Sequence, residues 1–153
     1  MEKRIEKGDV GIAASGDEVL VARSLGSTLA VMAVDQDAAA AGMAVLVVPG
    51  SFAGNQGVSG GEQLKELFSG MVKAGAKPSS MKIYLAGAAG FLSEPEECSL
   101  GRELFRFVKG VILKNGLSVY GEHVGGPVNR SVSLDARSGR VTISMVDEKE
   151  VVL

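Results

Sequence analysis

One thiol and one imidazole stand in this chain of 153 residues: Cys98 is its only cysteine and His123 its only histidine. A thiolate that attacks a carbonyl and a histidine that takes up its proton are the least that a thiol hydrolase requires. Cys98 stands just before an apolar-periodic segment that opens at Ser99. The positive end of a helix dipole at that point would favour its thiolate. His123 falls in Glu122-His123-Val124-Gly125-Gly126, a strand-to-turn segment in which a histidine is more often a satisfied turn residue than a base. Two readings follow from the residues: a Cys98–His123 dyad, or a bystander cysteine and a structural histidine.

Other chemistry finds little footing. A metal centre needs three or four clustered ligands, and one Cys, one His and scattered carboxylates show none of the usual spacings, so neither a metal nor a cofactor is expected. The stretch from Gly54 to Gly61, GNQGVSGG, is glycine-rich and opens a helix. It lacks the Gly-Lys-Ser/Thr ending of a phosphate loop and reads as a flexible connection. Ser93-Glu94-Pro95-Glu96-Glu97 is an acidic stretch, either a solvated loop or the complement of a basic partner.

Positioning these residues takes strands first and helices second. Asp9 to Ala13, Glu18 to Ala22 and Thr28 to Val34 are short apolar or β-branched runs separated by Ser15-Gly16-Asp17 and Leu25-Gly26-Ser27, both turn chemistry. Gly42 to Val48 is a continuous apolar run, as expected of a central strand covered on both faces. Ser59 and Glu62 have capping-box spacing, and Leu64, Leu67, Phe68, Met71 and Val72 then share one helical face that ends at Gly75. A strand from Met81 to Leu85 and the turn AGAAG precede a second helix near Ser99. Its face is Leu100, Leu104, Phe107, Val108, Val111 and Ile112, and Asn115-Gly116 stops it. Leu117 to Glu122 is a further strand, and Ser131–Leu134 and Val141–Met145 form a hairpin with one dry face. This order predicts an α+β fold in one domain over residues 1–153, two main helices packed on one side of a β-rich body.

Composition bounds the rest. Hydrophobic residues at 46% and charged residues at 22% are ordinary for a globular domain, and no apolar run approaches the ~20 residues of a bilayer span. No signal-type block follows the charged start MEKRIEKGD, so a cytoplasmic protein without membrane contact is expected. A net charge of -2 without a basic cluster argues against a nucleic-acid partner.

Several segments resemble the chemoreceptor glutamine deamidase (CheD) family in order and spacing. Gly26-Ser27 runs into Thr28 where the family has Gly-Ser-Cys at the start of an apolar strand, and Gly42-Met43-Ala44-Val45 with Pro49 stands where it has G-M-A-H-x-x-x-P. The later markers are Ala86-Gly87-Ala88, Leu100-Gly101-Arg102, Glu122-His123-Val124-Gly125-Gly126 with Arg130, and the turn Ser138-Gly139-Arg140-Val141. The resemblance implies a layered α/β/β sandwich. It also implies that Thr28 occupies the place of the catalytic cysteine, Val45 that of the histidine and Ala22 that of the catalytic threonine, all three without their reactive groups. Further departures are Leu104 and Pro127 in place of asparagines and His123 in place of an aspartate.

The expectation is a CheD-like binding or regulatory domain that has lost deamidase chemistry. Its expected partners are a CheC-type chemotaxis phosphatase or chemoreceptor cytoplasmic helices, met near Phe52 and Phe91. The alternatives are an active protein-glutamine deamidase using Cys98 or another group, and a small-molecule binding domain.

Overall fold

The computed structural model describes residues 1–49, 59–90, 99–146 and 148–153. Cys98, Phe52 and Phe91 lie outside the described residues. The strands are β1 (Glu2–Arg4), β2 (Val10–Ile12), β3 (Val19–Ala22), β4 (Leu29–Asp35), β5 (Ala40–Leu46), β6 (Lys82–Gly87), β7 (Val119–Val124), β8 (Arg130–Asp135), β9 (Val141–Met145) and β10 (Val151–Val152). The helices are α1 (Gly60–Lys73) and α2 (Leu100–Lys114).

Two five-stranded sheets form, an inner one ordered β2-β5-β4-β6-β7 and an outer one ordered β1-β3-β8-β9-β10. Alternation along β4 shows how they stack. Leu29, Val31 and Ala33 join Leu64, Leu67 and Met71 of α1 and Leu104, Val108 and Ile112 of α2 in one apolar cluster. Ala30, Met32 and Val34 point the other way, into a second cluster with Leu20, Val132, Leu134, Val141 and Ile143 of the outer sheet. Because successive side chains leave a strand on opposite faces, one strand serves both cores. The result is helices, inner sheet, outer sheet: the expected α/β/β sandwich.

Both helices start as their sequences require. The Ser59 hydroxyl accepts from the Glu62 amide at 3.3 Å and the Ser99 hydroxyl from the Arg102 amide at 3.1 Å, each satisfying an orphan N–H of the first turn. On α1 the apolar face is narrower than the periodicity predicts, since Val72 turns outward and is exposed. The strand Gly42 to Val48 becomes β5 over Ala40–Leu46, buried throughout, but β4 takes the centre of the inner sheet. The three-residue β2 covers the outer edge of β5, antiparallel to it. The expected hairpin forms from β8 and β9, with Val132 opposite Ile143 and Leu134 opposite Val141.

Candidate functional site

The segment that joins the sheets runs from Arg23 to Thr28, leaving the outer sheet at the end of β3 and entering the inner sheet at β4. Ser24 and Gly26 take left-handed φ angles of 51° and 54°, which turn the chain sharply enough to cross. Three successive amides are then held by three successive residues at the start of β8. The Ser24 N–H donates to Ser131 Oγ at 3.1 Å, that of Leu25 to the Arg130 carbonyl at 2.8 Å, and that of Gly26 to Asn129 Oδ1 at 3.0 Å. On the other side the amides of Ala88 and Ala89 donate to the carbonyls of Thr28 and Gly26 at 2.8 and 2.9 Å. Thr28 closes the segment on itself: its N–H (2.9 Å) and its hydroxyl both donate to the Leu25 carbonyl. It is 6% exposed. A buried hydroxyl whose proton is engaged by a carbonyl has no base to receive that proton.

Val45 pairs with Ala30 across β4 and β5. Ala22, Ala30 and Val45 all belong to the cluster between the sheets. Continuing the alternation of β4 one step toward its start gives residue 28 the same face as Ala30. The three positions that the resemblance singles out therefore face the same inter-sheet space. Ala22 and Val45 both line a cleft of about 580 Å³, together with Arg4, Ile5, Glu6, Lys7, Arg23 and Ser24. Thr28 is not part of its lining. Both are only 1% exposed, so little of either reaches the cleft.

The backbone at position 45 is fastened from three directions. Its N–H donates to the Asp9 carbonyl at 3.1 Å, and its carbonyl accepts from the Gly8 amide and from Gln63 Nε2, each at 2.8 Å. Gln63, fully buried on α1, ties the helix to the edge of the inner sheet. Its Oε1 has no partner among the described residues.

The cleft holds one hydroxyl, that of Ser24, which makes no hydrogen bond among the described residues. Its charges are basic: Arg4, Lys7 and Arg23 against Glu6. Arg4 approaches Glu6 at 3.8 Å and Arg23 approaches Glu2 at 3.4 Å, all four side chains being more than half exposed. Sequence reasoning missed this cleft. Arg4 and Lys7 lie in the charged start of the chain and Arg23 lies after β3, so no local pattern joins them.

His123 is far from a free base. Its Nδ1 accepts from Arg130 Nε at 2.7 Å. A guanidinium has no lone pair to offer, so the imidazole is neutral, with its proton on Nε2 and its only lone pair engaged. Burial, then the Arg130 charge, hold its pKa below the ordinary histidine value, against the opposing pull of a backbone hydrogen bond and Glu148.

Arg130 is itself 4% exposed. From β8 of the outer sheet it reaches the inner one, where Nη1 donates to the Gly87 carbonyl at 2.9 Å and Nη2 to that of Gly125. Burial lowers its pKa, and it forms no ion pair with a carboxylate among the described residues. A cation held by carbonyls and an imidazole is an inter-sheet staple. The place of Cys98 relative to His123 lies outside the described residues.

No group of three or more His, Cys, Asp or Glu side chains capable of holding a metal occurs among the described residues. Neither helix is long and apolar enough to cross a membrane. A second cleft of about 340 Å³ opens at the start of α2, lined in part by Ser99, Arg102, Phe105 and Arg106.

Comparison with known proteins adds to this geometry. The family model for CheD chemotactic sensory transduction matches residues 50–145. A Methanococcus maripaludis (strain C6) protein named "Probable chemoreceptor glutamine deamidase CheD" is 29% identical over 147 residues, covering 94% of this chain and 94% of its own length. A Methanococcus vannielii protein of the same name is 29% identical over 152 residues, with 97% of each chain covered. One from Haloarcula marismortui is 26% identical over 139 residues, covering 88% of this chain and 80% of its own. Among solved structures, Neisseria meningitidis protein NMB0706 superposes with a TM-score of 0.49 at 13% identity, over 82% of this chain and 62% of that one.

Proposed function

Because the chain belongs to the CheD family, we propose that it is a member that binds chemotaxis partners and does not deamidate them. Deamidation of a glutamine side chain requires a nucleophile to attack the carboxamide carbon, ammonia to leave with a proton, and water to release the acyl group. Each step needs a group that can give or take a proton beside the attacking atom. The observation that carries the reading is Thr28, whose hydroxyl is buried and donates to the Leu25 carbonyl. Val45 and Ala22, at the positions matched to the histidine and threonine, offer only aliphatic side chains to the cleft they line.

Two further features support it. The amides of Ser24, Leu25, Gly26 and Thr28, which an acyl-transfer enzyme would aim at a developing oxyanion, all donate within the fold. The imidazole of His123 has its acceptor nitrogen engaged by Arg130, which weighs against its serving as the base for Cys98. Chemoreceptor cytoplasmic helices are the first partner to test, since the relatives are named for that substrate. A CheC-type phosphatase is the second.

The test is incubation of the chain with a chemoreceptor cytoplasmic domain, followed by co-elution and by mass spectrometry of the receptor. Co-elution with unchanged mass is expected. Conversion of any receptor glutamine to glutamate contradicts the non-catalytic reading.

A further inference from the structure

From the charge of the cleft above Ala22 and Val45, we infer that it receives the carboxylate of a glutamate side chain on a partner protein. This rests on the non-catalytic binding reading and names what that binding recognises. A site that acts on glutamine has to accept a neutral carboxamide. Here the walls carry Arg4, Lys7 and Arg23 against the single carboxylate of Glu6. The cations are available to an incoming anion. Lys7 forms no ion pair among the described residues, while the Arg4–Glu6 and Arg23–Glu2 contacts are long and exposed, the kind that contributes little. A carboxylate entering the cleft would replace such contacts by charge-assisted hydrogen bonds to guanidinium and ammonium donors.

The volume of about 580 Å³ leaves ample room for a carboxylate-bearing side chain. Ala22 and Val45 contribute to its apolar lining, and Ser24, at a left-handed φ of 51°, lines it with a hydroxyl without a partner among the described residues. That hydroxyl can donate to a carboxylate oxygen. Among side chains, the same cleft offers a carboxamide NH2 group only Glu6, already near Arg4, and the serine oxygen. The chain would thus distinguish a deamidated receptor from an unmodified one by binding.

The experiment uses the full chain and a chemoreceptor cytoplasmic domain prepared in two forms, identical except for glutamine or glutamate at one helical position. Affinity is measured by fluorescence anisotropy at low and high salt, and the glutamine form is weighed by mass spectrometry afterwards. Tighter binding of the glutamate form by about tenfold is expected, with the difference shrinking as salt rises. Lys7→Ala and Arg23→Ala, both at exposed positions, should remove most of the preference while leaving the thermal midpoint unchanged. Equal binding of the two forms, or a preference that survives both substitutions, overturns the carboxylate inference alone. A mass gain in the glutamine form overturns the non-catalytic reading, whatever the affinities. Binding of neither form overturns both.

Discussion

Arg130 and His123 show how a buried charge can be held by an imidazole and backbone carbonyls. The segment Glu122-His123-Val124-Gly125-Gly126 with Arg130 is visible in the sequence. That Arg130 is buried and reaches across to the other sheet is not visible, because its partners are carbonyls at Gly87 and Gly125, and backbone acceptors leave no mark in side-chain identity. Replacing Arg130 by alanine leaves those acceptors and the imidazole without their donor, and a loss on the order of 3 kcal/mol in chemical denaturation is expected. His123→Asp supplies the buried guanidinium with an opposite charge, and a gain of roughly 1–2 kcal/mol is expected from the same measurement at neutral pH.

The pH dependence of the wild-type chain follows from the same pair. His123 has a lower pKa folded than unfolded, so between the two values the unfolded chain binds more protons. Its contribution to stability is intact above the unfolded value of about 6.5 and is lost as pH falls below it toward the folded value. Denaturation midpoints should therefore drop on acidification through this range more in the wild type than in His123→Gln. Equal slopes would show that the imidazole is not held neutral.

Among elements, those with caps and turns were legible in sequence and those without were not. Ser59 and Ser99 mark the starts of α1 and α2, and the β8–β9 hairpin follows its alternation of apolar and polar residues. β1, Glu-Lys-Arg, is entirely exposed, and β10 has two residues, so neither carries an apolar pattern. β1 forms because β3 offers it an edge, which is information from elsewhere in the chain. The centre of the inner sheet was misassigned for a related reason: full burial does not distinguish a middle strand from one whose far edge is covered by three residues of β2. The placement of α2 depends on Gly101, where a Cβ would lie 2.5 Å from the Ala88 carbonyl oxygen and 2.6 Å from its carbon. Gly101→Ala must push the helix off the turn after β6, and a loss of about 1–3 kcal/mol in thermal or denaturant unfolding is expected. Gly110→Ala on the same helix has open space at its Cβ and serves as the control, neutral or slightly stabilising.

At the scale of the molecule, β4 divides the interior into two cores that carry different burdens. The helix-side core includes Leu104, fully buried where the family resemblance has an asparagine. Leu104→Ala should cost about 2–5 kcal/mol, as a large-to-small change in a packed interior. The succession of strands and helices predicts the helices on one side of a β-rich body, and the division of that body into two sheets came only with the resemblance. What the succession left out was the cleft, because its three cations come from the chain's start and from the end of β3, and only β1 pairing with β3 brings them together. The scaffold is thus written in local patterns, and the cleft in a strand pairing that has none.

The central claim is the proposal that Ala22, Thr28 and Val45 stand in place of reactive groups, and it is tested most directly by weighing a chemoreceptor cytoplasmic domain after incubation with the wild-type chain and, in parallel, with the variant A22T/T28C/V45H. The account predicts unchanged receptor mass with the wild type, and the glutamine-to-glutamate increment with the variant if it folds. The same increment produced by the wild-type chain would contradict it.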